Sequence, residues 1–187
     1  MRPDAPPIDP KLLADNDYCN HEKHRQRLNF LSCCRWPVLN IFLLDLKWYK
    51  VVLDIEDLKS LRVIRDRGWS LLSGDSGNID LAVENYVRFD GDPTKNPTIT
   101  DGELKKEFAG LMSSIKEYRE KAGNPNHNLN LILVGPSKNG PFTIIEGNHS
   151  AMGLFLRYVV DHPKEPFPTI SCYIGVSPLI RRCGWAY

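Results

Sequence analysis

Lys47 to Leu53 (KWYKVVL) is rich in β-branched and aromatic residues and predicts a strand. Asp54 predicts the cap of a short helix, Ile55 to Ser60, with Asp57 at its third position. Gly68 and Ser73-Gly74-Asp75-Ser76-Gly77 are loop punctuation, Asn78 to Val87 is helical, and Phe89 to Pro97 is a connector. After Thr100 or Asp101 as cap, Leu104, Phe108, Leu111, Met112, Ile115 and Tyr118 form an amphipathic stripe that ends near Ala122-Gly123. Leu129 to Val134 and Phe142 to Glu146 predict strands around a hairpin loop, Gly135 to Gly140. Gly147-Asn148-His149-Ser150 opens a helix over Ala151 to Val160, and Thr169 to Val176 is a last strand. Before all of these, residues 1 to about 17 read as a tail or docked arm, His21 to Arg27 as a helix start, and Val38 to Leu44 as a strand or a buried helix.

Composition narrows the class. The chain has 187 residues, 42% hydrophobic and 25% charged, which is globular rather than disordered or coiled-coil. A chain of this size buries roughly 70% of its unfolded surface and needs no metal or disulfide staple. Lys plus Arg is 24 and Asp plus Glu is 23, a net charge of +1 that argues against a dedicated nucleic-acid binder. The longest apolar run, Ile41 to Leu44, is far short of a span, and Met1 to Pro7 has no secretory h-region. There are five cysteines, and Cys33 and Cys34 are adjacent, a poor disulfide framework that points to a reducing cytoplasm.

The most informative stretch is Ile144-Ile145-Glu146-Gly147-Asn148-His149-Ser150-Ala151, where a strand stops and a helix starts. Gly147 supplies the freedom a sharp turn needs. The first backbone N–H groups of the new helix have no internal partners and sit at the positive end of its dipole, a place suited to an anion. Asn148, His149 and Ser150 add side-chain donors. A plain N-cap with a locally bonded His149 accounts for the same residues, and spacing does not separate the two readings.

The order of elements resembles the ParB/sulfiredoxin-like fold. The resemblance rests on Glu103-Leu104, Leu111-Met112-Ser113-Ser114-Ile115-Lys116-Glu117, Leu131 to Val134, the hairpin, and Ile144 to His149. It covers Glu103 to Val176 and extends back to Val51-Val52-Leu53-Asp54-Ile55-Glu56-Asp57-Leu58. It implies one α/β (α+β) domain over residues 46–187, with a 45-residue N-terminal extension and an insertion at about 62–100; that insertion is long for an unstructured loop, so it is expected to carry its own helices and form one wall of a pocket. It also implies a nucleotide, ATP or ADP with Mg2+, whose phosphates sit on Gly147, Asn148, His149 and Ser150, with Ser114 and Lys116 approaching from the other motif. Members include cysteine sulfinic acid reductases, free-serine kinases and CTP-hydrolysing chromosome-partition proteins.

Two departures shape the expectation. Asn148 stands where a sulfiredoxin has its cysteine, which argues against that reductase chemistry. Ser150 replaces the family arginine, so another cation has to serve, from Arg157, Lys138 or the group Arg62, Arg65 and Arg67. The leading expectation is a phosphotransferase acting on a small hydroxyl-bearing molecule, with Glu56, His149 and Glu146 as catalytic groups and Glu146 as a Mg2+ ligand. Asp54 and Asp57 flank the first of these. The alternatives are a non-catalytic nucleotide switch that binds a partner, and a scaffold turned to another small ligand. Partition proteins carry further DNA-binding domains after the nucleotide domain, so a DNA partner is not expected; a homo-oligomer stays open. Cys19, His21, His24, Cys33 and Cys34 match no common zinc spacing. The aromatics Trp36, Trp48, Trp69, Trp185, Tyr49, Tyr86 and Tyr187 read as core or interface, with one of them free to stack on a ligand, and the segment Ile180 to Tyr187 as docked across the site or on a partner.

Overall fold

A computed structural model describes residues 44–66, 68–90, 92–96, 99–124, 129, 131–184 and 186. The readings made for residues 1–43, including the Cys/His group and the apolar stretch before Leu44, lie outside them, as do Arg67, Trp185 and Tyr187.

The described residues form an α+β fold of five α-helices and one four-stranded sheet. Strand β1 (Lys47–Leu53) leads into α1 (Ile55–Ser60). Asp54 caps α1 through a capping box: the Asp57 N–H donates to Asp54 Oδ1 at 2.8 Å and the Asp54 N–H donates to Asp57 Oδ2 at 3.1 Å. Next come α2 (Ser70–Ser73), α3 (Ile79–Arg88) and α4 (Gly102–Lys121), the last capped by Asp101, whose carboxylate accepts from Leu104 N–H at 2.8 Å. Then follow β2 (Ile132–Gly135), β3 (Thr143–Glu146), α5 (Asn148–Phe155) with a π-helical extension over Leu156–Asp161, and β4 (Ile170–Val176).

Helix α5 begins three residues before the Ala151 start that the sequence suggests, and it widens into a π-turn instead of running on as α-helix to Val160. Asn, His and Ser are weak helix formers in mid-helix but suit a first turn, where their polar groups meet unpaired backbone donors. Strand β2 begins at Ile132 rather than Leu129, and β3 and β4 each begin one residue later than expected.

The sheet order is β1-β4-β2-β3. β1 pairs antiparallel with β4 from Lys47↔Val176 to Leu53↔Ile170, β4 runs parallel to β2, and β2 pairs antiparallel with β3. A parallel neighbour requires a crossover, and the chain makes it through β3 and α5. Every residue of β2 is buried, whereas the outer strand β1 leaves Val52 61% exposed. Phe108, Met112 and Ile115 of α4 join Leu133 and Ile144 of the sheet and Leu154 of α5 in one core. Near the far edge, Arg62 lies strand-like beside β3: its N–H donates to the Phe142 carbonyl at 2.9 Å and its carbonyl accepts from Ile144 N–H at 2.7 Å. The C-terminal segment docks on its own sheet, where Thr143 Oγ1 donates to the Ala186 carbonyl at 3.0 Å and Ile180 is fully buried.

Candidate functional site

β3 ends beside a bulge. Ile132 pairs with Glu146 and Leu133 with Ile144, so Ile145 is the extra residue. Gly147 then turns the chain with φ 88° and ψ 21°, a left-handed conformation that any Cβ opposes. The first helical bond of α5 runs from the Ala151 N–H to the Gly147 carbonyl at 2.9 Å. The N–H groups of Asn148, His149 and Ser150 are therefore not used inside the helix, and no side chain caps them from Gly147.

The three side chains of this turn separate. Asn148 is 8% exposed and knits the turn to its neighbours: its Oδ1 accepts from the Ile64 N–H at 3.1 Å and its Nδ2 donates to the Ile144 carbonyl at 3.3 Å. That bond holds the segment after Arg62 across the start of α5. Ser150 is buried. His149 stays half-buried between two aromatic rings, Trp69 at 5.1 Å with a 56° tilt and Tyr118 at 5.7 Å with a 28° tilt. The two rings fix the plane of the imidazole.

Around this turn lies a cavity of about 510 Å3, within the range of roughly 300–1,000 Å3 usual for small-molecule sites. Three pieces of chain wall it. The first is Ile145 to His149. The second, formed by Ile64, Asp66, Gly68 and Trp69, lies in the 62–100 stretch, where Asp66 Oδ1 accepts from the Trp69 N–H at 2.8 Å. The third is one face of α4, with Glu107, Gly110, Leu111 and Ser114 at helical spacing and Lys106 beside them. A Cβ on Gly68 would stand 3.5 Å from Glu107 Oε1 and 3.7 Å from Asp66 Oδ1, so both carboxylates close around that glycine.

Of the expected site residues, Glu146, Gly147, Asn148, His149 and Ser114 line this cavity together. Three do not join them. Ser150 packs inward. Lys116 is exposed on α4, about 200° round the helix from Ser114, because two residues span just over half a turn. Glu56 is exposed on α1 and paired with Lys59 Nζ at 2.8 Å, away from the lining.

The cations considered as substitutes for the family arginine are placed elsewhere too. Arg157 pairs with Glu165 at 2.8 Å, Lys138 Nζ lies 4.6 Å from the centre of the Tyr49 ring, and Arg65 faces Asp75 at 3.9 Å. Lys106 is the basic residue that the described lining does contain. Its signal, with Glu107 and Gly110, was present as the polar side of the α4 stripe, but sequence does not say which part of that side faces a cavity. Trp69 is the aromatic that reaches the site, through His149.

Among the described residues no group of three or more His, Cys, Asp or Glu is placed to hold a metal by itself, and no helix is long and apolar enough to cross a membrane. No family model, curated protein or solved structure matches the chain.

Proposed function

We propose that this cavity binds a Mg2+–nucleotide and transfers its terminal phosphoryl group to a small hydroxyl-bearing molecule, in a fold of the ParB/sulfiredoxin-like kind. The observation that carries the reading is the Gly147 turn, which sets the first turn of α5, ahead of its first helical bond, at a cavity also lined by carboxylates, a lysine and an oriented histidine. The donor set suits the ligand. Mg2+ is held by one or two carboxylates together with phosphate oxygens rather than by an all-protein cage, and Glu107 and Glu146 both line the cavity.

Bound Mg2+–nucleotide supplies the phosphoryl group and offsets its charge. The rest falls to the chain. N–H groups of Asn148 and His149 receive phosphate oxygens, with the Ser114 hydroxyl and Lys106 as side-chain donors. Glu146, the Mg2+ ligand expected from the sequence, and Glu107 offer carboxylates to the cation. His149, clamped by Trp69 and Tyr118, accepts the proton of the acceptor hydroxyl at a ring nitrogen. Ile64, Leu111 and Ile145 keep water from the reacting end.

The test is calorimetric titration of ATP, ADP and CTP, with and without Mg2+, followed by turnover with a panel of small alcohols and hydroxy amino acids. Expected are Mg2+-dependent binding, turnover that needs an acceptor, and a fall of roughly 100-fold or more in turnover for His149→Ala with binding retained. Lys106→Met weakens binding. Slow hydrolysis indifferent to acceptor would replace this reading with a nucleotide switch. Absence of nucleotide binding would sink it and leave the cavity to another small ligand.

A further inference from the structure

Three glycines line the cavity. Gly147 adopts a left-handed φ that any Cβ opposes, and a Cβ on Gly68 would meet Glu107, Leu111 and Asp66 at ordinary contact distances. Gly110 has no left-handed φ and no such neighbour. It stands in the middle of the 20-residue helix α4 with an ordinary backbone, and a Cβ there would meet no described heavy atom within 4 Å outside its own helix. Glycine is among the poorest residues for a helix interior, so α4 is weakened there with no gain in packing. What the missing side chain does provide is a bare strip of helix backbone, open to the cavity, between Glu107 and Ser114.

Position along α4 gives that strip its meaning. Tyr118 marks the end of the cavity at His149 and the α5 turn. With a rise of 1.5 Å per residue, Ser114 lies about 6 Å and Gly110 about 12 Å along the axis from Tyr118. A ligand whose phosphates meet the α5 turn therefore passes Ser114 and brings its other end to Gly110, beside the apolar Leu111. A flat group fits a bare backbone strip better than a branched one does.

We infer that Gly110 is the specificity-determining wall for the planar base of the nucleotide, which lies flat on the α4 backbone while the phosphates reach the Gly147–Ser150 turn. The inference rests on the nucleotide reading of the cavity. Gly110 is here a positioning and selectivity residue, with no part in the chemistry.

Two substitutions and two probes test it, by calorimetry and thermal melting of the full chain. Gly110→Ala should raise Tm by about 2–4 °C, because it improves the helix and meets nothing. Gly110→Leu should remain folded and bind Mg2+–ATP roughly tenfold or more weakly, yet bind Mg2+–tripolyphosphate as the wild type does, because only the base is displaced. Equal loss of both probes, or no loss of either, would overturn the inference while the nucleotide reading stands. It would also be overturned by a wild type that binds ATP no better than tripolyphosphate. A wild type that binds neither probe would overturn the nucleotide reading itself, and this inference with it.

Discussion

Asn148 shows how one side chain can serve the fold at the rim of a site. Its amide bridges the Ile64 N–H and the Ile144 carbonyl and is nearly excluded from water. Asn148→Ala leaves a buried donor and a buried acceptor unmatched, and should cost about 1–3 kcal/mol in urea unfolding. Gly147 is a second such residue. A Cβ at φ 88° should destabilise the protein by about 1–2 kcal/mol, so Gly147→Ala lowers the urea midpoint with little change in slope. The need for Gly147 is legible in the sequence, because a strand running straight into a helix requires an unusual φ. The bonds of Asn148 are not, since their partner Ile64 lies 84 residues away along the chain.

At the scale of elements, the crossing of α4 and α5 decides the site. A Cβ on Gly153 would fall 2.6 Å from the Tyr118 carbonyl oxygen and 2.9 Å from Arg119 N, so the two helix backbones touch there. This contact presents Tyr118 to His149 one turn earlier on α5. Arg119 ties the same region of α4 to the π-turn with both arms of its guanidinium on Asp161, Nε to Oδ2 at 2.7 Å. Gly153→Ala must part the helices, and should cost about 1–3 kcal/mol and loosen the His149 ring, visible as a changed imidazole resonance in NMR. Gly110→Ala, on the other helix of the same pair, is expected to stabilise. Both glycines are mid-helix in sequence, and their opposite outcomes follow from what each one faces.

At the scale of the whole molecule, titration reports on the core. Cys172 lies at the centre of β4 opposite Val51 and is 1% exposed; burial, with the nearby charge of Asp57 second, pushes its thiol from 9.0 up to about 12. The folded state therefore holds this proton where the unfolded chain has released it. The associated stability is complete below pH 9.0 and is lost as pH rises toward 12, by up to about 1.4 kcal/mol per unit. Tyr86, also raised by burial, adds a loss of the same sign above its ordinary value of 10.0. Urea unfolding from neutral to alkaline pH should show this slope, and Cys172→Ala should remove the part that begins near 9.0 while lowering stability at neutral pH through the space it leaves.

The local elements were readable because their causes are local. The capping box of Asp54 and Asp57, the Asp101 cap, the α4 stripe and the strand pattern of Lys47 to Leu53 each involve residues within a few positions of one another. So does the abrupt turn at Gly147, which marks one wall of the cavity without any knowledge of the other two. Tertiary structure alone decided the membership of the site. It brought Lys106, Glu107 and Gly110 to the cavity and left Lys116, two residues beyond Ser114, on the opposite face; it turned Ser150 inward and kept Glu56 with Lys59. The physical reason is one of range. Periodicity shows that a helix has an apolar side, but which part of its polar side meets a cavity depends on how closely a second helix crosses it. Here that closeness is set by a single missing side chain at Gly153.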